Sequence, residues 1–421
     1  MGEDLTLFTQ GVDGLSRGGT PLAAAKADGF NLFGDHFHPV VALIAPFYRL
    51  WPSPVTLLVA QALAVALGAG VLSRAAFRHL EPLPATALSA AFALCWPLQT
   101  MSVYGFHEIA FAVPLLALSL SSLLDRRFVA CALWALPLLL VKEDQALTVA
   151  VLGAVLWTRG RRRLGAGVGV AGLAGFALIT GVVIPSLSYY GRFTYWSAGV
   201  GESDTSTASP GVVTGLALHV WTSLSSPTPW MTGALLLVMV AGLALRSSLL
   251  LLALPAAAIR LVSSNEGMWS WHYHYDAPLA VILFFAALEV MRDRQHTLLR
   301  RAPVVLLAVA VALVPFFPLG GALSGAATRC GTCADATAIL ALVPDGADVA
   351  ADVYLSPHLA TRTTTRLLLP GFTDSAGHPL RSDYAVLNSR RREAEDLDGI
   401  LTSRGLRVVT ERGPYRLYRR D

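Results

Sequence analysis

Polar and apolar positions fall in long blocks along this chain. Apolar runs, free of charge but for Arg260 and Glu289, cover residues 54–73, 84–101, 109–124, 128–141, 145–158, 164–185, 230–245, 248–263, 277–289 and 303–319. A perpendicular membrane span needs about 20 apolar residues. The pattern therefore predicts about ten membrane helices, some entering the bilayer incompletely because their runs are shorter than that. Phe47, Tyr48, Trp51 and Pro52 read as an interfacial anchor before the first of them. Residues 211–224 are apolar but short and uncharged, the pattern of a helix lying on the membrane surface, and 201–210 is a Ser/Thr-rich loop.

After residue 325 the period changes. Residues 334–344 have helical spacing, 348–354 and 384–388 read as strands, 393–404 as a polar helix, and 406–410 and 415–418 as strands. The chain thus divides into an outer segment at 1–53, a multi-helix membrane region at 54–325 and a small α/β domain at 326–421. The fold class is an α-helical polytopic membrane protein with a C-terminal extracytoplasmic α/β domain.

Composition supports a membrane protein. The chain is 54% hydrophobic and 14% charged, where soluble domains carry about 25% charged residues. The cations set the orientation. Arg74, Arg78, Arg126, Arg127, Arg159, Arg161, Arg162, Arg163, Arg246, Arg292, Arg294, Arg300 and Arg301 fall in one alternate set of connections, against Lys142 and Arg192 in the other. The first set belongs in the cytoplasm, which leaves the N-terminal segment and the C-terminal domain outside. High Ala, Gly, Arg and Leu content fits a bacterial cell membrane. The polar stretch 1–17, with Glu3, Asp4 and Asp13, contains no cleavable signal peptide.

The concentrated polar groups all fall on the predicted outer side. They are Asp4; Asp35, His36 and His38; His107 and Glu108; Lys142, Glu143 and Asp144; and His272, His274 and Asp276. Ionisable groups at membrane depth are costly and usually face a cavity or one another, so a shared outer cavity is expected. Each group also has a purely structural reading. Asp35 suits the cap of a helix from Pro39, and His107-Glu108 suits a helix start. Lys142-Glu143-Asp144 can neutralise itself, and the aromatic stretch 271–276 suits an interfacial belt. The i, i+2 spacing of His36 with His38, and of His272 with His274, allows a divalent metal to be held from an extended strand, with no matching third-ligand motif.

Cys330 and Cys333 have redox-motif spacing but no thioredoxin-like surroundings, so a small disulfide is expected. Cys95 and Cys131 lie in apolar runs, where buried thiols are ordinary. The chain has no GxxxxGK[ST] phosphate-binding loop and no HExxH, which argues against cytoplasmic nucleotide chemistry. No nucleic-acid partner is expected; the lipid bilayer is.

The stretches DLTLFTQ (from Asp4), GDHFHPVVALIAPFYRLWPSPVTLLVAQAL (from Gly34), FHEIAFAVPLL (from Phe106), LLLVKEDQAL (from Leu138) and HYDAPL (from His274) resemble domain-of-unknown-function family 2079 of predicted membrane proteins. That family is grouped by similarity with the GT-C membrane glycosyltransferases, which take sugars from polyprenyl-phosphate donors. The resemblance implies a GT-C-like fold and a hydrophobic helix just before Asp4, where this chain begins three residues earlier. The family's second N-terminal acidic position is Thr9 here. By position Asp4 matches the acid that GT-C enzymes present to the acceptor, with Asp35 further along the same loop and Glu108 in the next outer loop. These three are the implied catalytic carboxylates. His36, His38, His107, Lys142, Glu143, Asp144, His272 and His274 are the implied substrate-binding groups, drawing on a polyprenyl-phosphate-linked sugar. Two other expectations stand beside a transferase: a transporter of lipid-linked substrate, which would depend on Arg260 and Glu289 within the apolar runs, and a non-enzymatic outer-surface binding or assembly protein.

Overall fold

The computed structural model describes residues 2–195, 212–263, 265–292, 297–325, 331–391 and 394–421. The Ser/Thr-rich stretch 201–210 and Cys330 lie outside these. The chain forms two compact units. One contains residues up to Gly34, Val41–Ala60 and Gly325–Asp421; the other contains Asp35–Val40 and Gln61–Ser324.

The second unit is helical. Its centre is the helix Ala277–Met291, in which nearly every side chain is buried. That is what an apolar sequence with no polar face produces when other helices surround it. Ala112–Leu124, Trp96–Val103 and the 3-10 turns between 243 and 253 pack around it. Gln145–Thr158 and Arg162–Leu178 form a tight antiparallel hairpin, reversed at Gly160, whose φ of 81° suits glycine. Gly153, Gly165 and Gly172 let the two backbones meet, since a Cβ on any of them would overlap the facing main chain.

The expectation of about ten spans is corrected here. Among the described residues, three helices are long and apolar enough to cross a membrane: Pro54–His79, Arg162–Leu187 and His274–Met291. A fourth is counted if Arg301–Phe316 and Pro318–Gly325, bent by 59°, act as one. The remaining apolar runs are broken. Cys95 adopts an extended conformation (ψ 141°) before Pro97 and splits the run at 84–101 into Pro82–Leu94 and Trp96–Val103. Phe128–Ala135 gives way to a 3-10 turn at Leu136–Leu140, which contains Pro137, and then to the charges at 142–144. Ala241 and Gly242, both at positive φ, stop Pro227–Met239. A 13-residue helix is about 20 Å long, short of the ~30 Å hydrocarbon layer.

The first unit carries the five-stranded sheet, in the order β2-β1-β3-β5-β4. Its strands are β1 (Asp348–Ala351), β2 (Thr364–Leu367), β3 (Tyr384–Asn388), β4 (Leu406–Arg412) and β5 (Tyr415–Arg420). β1 runs parallel to β2 and β3, while β5 is antiparallel to both β3 and β4. Four strands and the helices Cys333–Leu340 and Ala394–Ser403 answer to the expected α/β pattern. β2 does not: its sequence, TTRL, has one apolar residue and no readable alternation. The polar N-terminal stretch forms a helix, Gly2–Ser16, in this same unit. Thr6 and Ser356 share a hydrogen bond at 2.7 Å, and Gln10 donates to the Thr365 carbonyl at 2.7 Å. Leu7, Ala23, Phe30 and Leu32 pack with Leu367 of β2. Cys333 is disulfide-bonded, as the sequence led us to expect.

Candidate functional site

Three short connections bring the polar groups of the second unit together: the stretch 35–38, the turn at 104–108 and the turn at 142–144. The last of these interrupts an apolar run, and its charges pair outward, not with one another. Lys142 Nζ lies 3.0 Å from Glu108 Oε1, with the glutamate side chain 3% exposed. Glu143 takes His36 Nδ1 at 2.6 Å on one oxygen and the Phe37 backbone N–H at 3.1 Å on the other. The notion of a self-neutralising trio is therefore replaced by an ion pair from Lys142 to Glu108 and a hydrogen bond between His36 and Glu143. Asp144 is half-buried and accepts from the Gln145 amide at 3.3 Å.

His36 also stacks on Tyr195, with ring centroids 3.9 Å apart, and Tyr195 donates its O–H to Asp35 at 2.7 Å. Next to this group, His107 and His274 lie face to face at 3.5 Å, both buried. Gln61 holds the turn that carries His107. Its amide donates to the Met101 and Gly105 carbonyls at 3.1 and 2.7 Å, and its oxygen accepts the His107 N–H at 2.9 Å. Arg260, also buried, donates to Asp276 at 2.6 Å and to the Tyr275 carbonyl at 2.9 Å.

A cavity of about 50 Å³ lies against this network, bounded by Lys142, Asp144, Gln145, Arg260, His274 and Tyr275 over an apolar floor that includes Ile109, Ile259 and Leu279. The Oε1 of Gln145 and the Nδ1 of His274 are buried without a hydrogen-bond partner among the described residues. Buried polar atoms are normally satisfied, and both residues border this cavity. The room suffices for water or a small polar group.

Electrostatics reinforce the pairing. Burial alone would push the Glu108 carboxyl up, but the Lys142 charge and the neighbouring histidines hold it below the usual carboxylate range. Burial alone would lower Lys142, yet Glu108 and Glu143 raise it. Glu143 is likewise held low, against its burial, by His36 and Lys142. Burial raises Asp144. His38, 2% exposed, is pushed down from 6.5 to about 4, chiefly by burial, with Glu108 opposing.

The His38 shift has a consequence for stability. Between about pH 6.5 and pH 4 the unfolded chain binds a proton here that the folded chain does not. His38 should therefore make the fold less stable as pH falls through that window, by up to about 3 kcal/mol at its lower end. Thermal unfolding of wild type and His38→Gln across pH 7 to 4.5 checks this. The wild-type midpoint should fall more steeply, and parallel curves would refute the assignment.

The sequence-derived candidates are thus partly united. Asp35, His36, His38, His107, Glu108, Lys142, Glu143, Asp144 and His274 lie in one unit. His272 is in that unit too, but faces a different space and is exposed. Asp4 belongs to the other unit, in the first turn of Gly2–Ser16. Asp35 does have a partner, Tyr195, and the His107 side chain makes no capping bond at the helix start. No group of three or more His, Cys, Asp or Glu side chains among the described residues converges to hold a metal ion. His36 Nδ1 is engaged by Glu143, and the facing rings of His107 and His274 give parallel planes in place of a shared focus. Sequence reading assigned Arg260 only to a transporter and passed over Gln61 and Tyr195. Arg260, a cation in an otherwise apolar run, was the one legible signal; nothing local distinguishes Tyr195.

Comparison with known proteins gives one match. The family model described as predicted membrane protein, DUF2079, matches residues 3–420, so the chain belongs to that family. No curated protein and no solved structure matches.

Proposed function

We propose that this member of the predicted membrane protein family is a GT-C-like glycosyltransferase that uses a polyprenyl-phosphate-linked sugar on the outer face of a bacterial cell membrane. The observation that carries the reading is the placing of two cations, Lys142 and Arg260, on one cavity beside a set of carboxylates and a carboxylate–tyrosine pair. In such a reaction the acceptor hydroxyl loses its proton to a carboxylate as its oxygen bonds to the anomeric carbon. The bond from that carbon to the phosphate oxygen breaks, and the departing lipid phosphate takes the electron pair. Its new charge must be met by fixed cations.

Within the second unit Asp35 is the carboxylate best suited to take the proton. Glu108 is committed to Lys142 and held strongly ionised, so its part is to orient that lysine. Asp35 accepts the Tyr195 hydroxyl at 2.7 Å, which positions its carboxylate. Asp4 keeps the role that its family position implies. His36, through Glu143, and His38 and His107 shape the wall around these groups.

The test is direct. Native mass spectrometry of the detergent-purified protein should show a co-purifying polyprenyl-phosphate lipid. Transfer to a hydroxyl acceptor should fall at least ~100-fold in Asp35→Asn or Asp4→Asn, with the unfolding midpoint unchanged. Full activity in both variants would remove these assignments. A transporter of lipid-linked substrate is the alternative; it would depend on Arg260 and Glu289, which pair with Asp276 at 2.6 Å and Arg159 at 2.7 Å.

A further inference from the structure

The segment 271–276 divides its side chains between two spaces. His274 and Tyr275 line the cavity that carries Lys142 and Arg260, whereas Trp271, His272 and Tyr273 border a second cavity of about 440 Å³. This one is enclosed by the end of helix Val212–Ser225, the start of Pro227–Met239 and the loop that runs from Ser263 to Tyr273. Among the described residues no Asp, Glu, Lys or Arg lines it.

Hydroxyls supply most of its polar groups, from Thr222, Ser223, Ser226, Thr228, Ser263 and Ser270. Three of them are oriented by the backbone. Ser226 Oγ accepts the Thr228 N–H at 3.4 Å, Ser263 Oγ that of Asn265 at 3.1 Å, and Ser270 Oγ that of His272 at 3.3 Å. A hydroxyl that accepts a backbone proton still has its own hydrogen to donate. Trp269, Trp271 and Tyr273 add flat apolar faces. The Trp269 ring is pinned, because its indole N–H donates to the Arg260 carbonyl at 3.1 Å.

We infer that this cavity binds a neutral saccharide. A sugar ring carries hydroxyls around its rim and C–H groups on its faces, the complement of a hydroxyl-lined wall beside aromatic planes. Among the described residues a phosphate or carboxylate would meet no Lys or Arg here. A lipid tail would offer no acceptor to the Ser226, Ser263 and Ser270 hydroxyls, which is costly. An interfacial aromatic belt accounts for tryptophans at this level, but not for three serines held by the backbone with hydrogens left to give. The volume falls within the ~300–1,000 Å³ of small-molecule sites. The inference does not rest on the transferase reading, since it concerns binding without turnover.

The test is saturation-transfer difference NMR on the full chain in a detergent without a sugar headgroup, with glucose, galactose, mannose and N-acetylglucosamine as separate probes. At least one should receive saturation, strongest at its ring C–H protons. Trp271→Ala should weaken that sugar about tenfold and Ser270→Ala severalfold, while Trp271→Phe, which keeps a ring, should retain most of the binding. Thermal midpoints of each variant report folding, and Trp271→Phe with Ser270→Ala carry the test if Trp271→Ala does not fold. Silence from all four sugars in the wild type, or binding indifferent to Trp271 and Ser270, overturns the inference. Loss of transfer in Asp35→Asn with sugar binding intact would separate this site from the reaction.

Discussion

Arg260→Met should lower the stability of the helical unit by roughly 3–5 kcal/mol, the usual cost of leaving a buried charge without its partner. Asp276 is wholly buried and Arg260 nearly so, with the pair at 2.6 Å. Methionine fills much of the same volume, so packing changes little and the loss isolates the charge. Arg260 also receives the Trp269 N–H on its carbonyl and donates to the Tyr275 carbonyl. The variant should therefore loosen residues 269–276 and with them His274. Thermal unfolding in detergent should show a drop on the order of 10 °C. The double variant Arg260→Met with Asp276→Asn should recover much of it, because neither charge is then left buried. A single variant as stable as wild type would mean that the pair is wetter than its burial indicates.

Lys142→Met carries the second large effect, and it separates folding from function. Glu108 would lose the ammonium 3.0 Å away that keeps its buried carboxylate ionised. A stability loss of roughly 3–5 kcal/mol is expected again. Adding Glu108→Gln should restore most of it, since a neutral amide needs no counter-charge. Activity should not return with the fold. If Lys142 meets the departing phosphate, transfer in the double variant stays down by about 10²–10³-fold, and retained lipid phosphate is lost in native mass spectra. Recovery of both together would assign Lys142 a structural role and move the phosphate elsewhere on the cavity.

The paired effects explain why the site was only half legible. The groups themselves stood out, because charges in an apolar chain are expensive and few. Their partners did not. Lys142 is flanked by two acids, and local reading pairs it with them; the fold pairs it with Glu108, thirty-four positions away, and gives Glu143 to His36. Tyr195 sits in an aromatic loop with no pattern, and its stacking on His36 and hydrogen bond to Asp35 are what mark it. Gln61 reads as one polar residue in an apolar helix, yet it pins three backbone groups of the turn before Glu108.

The same limit applied to the helices. Apolar runs predicted helical content, whereas the glycines of 162–178 that let two backbones meet stood out only in the structure. Hydropathy alone could not count the spans, because prolines, 3-10 turns and positive-φ residues cut several runs into helices too short to cross. In the α/β unit, strands with apolar runs were visible, whereas β2 required its neighbour: TTRL becomes a strand by pairing with β1.

By itself, then, the sequence determined class, composition and the roster of charged candidates, because those depend on residue type and short spacing. Tertiary structure decided which charge faces which and where a cavity opens between them. It also decided that Arg260 stands beside Lys142 on that cavity, more than a hundred residues apart in the chain. Ion pairing in a buried setting depends on distances of about 3 Å set by helix packing. No local pattern along the chain encodes those distances.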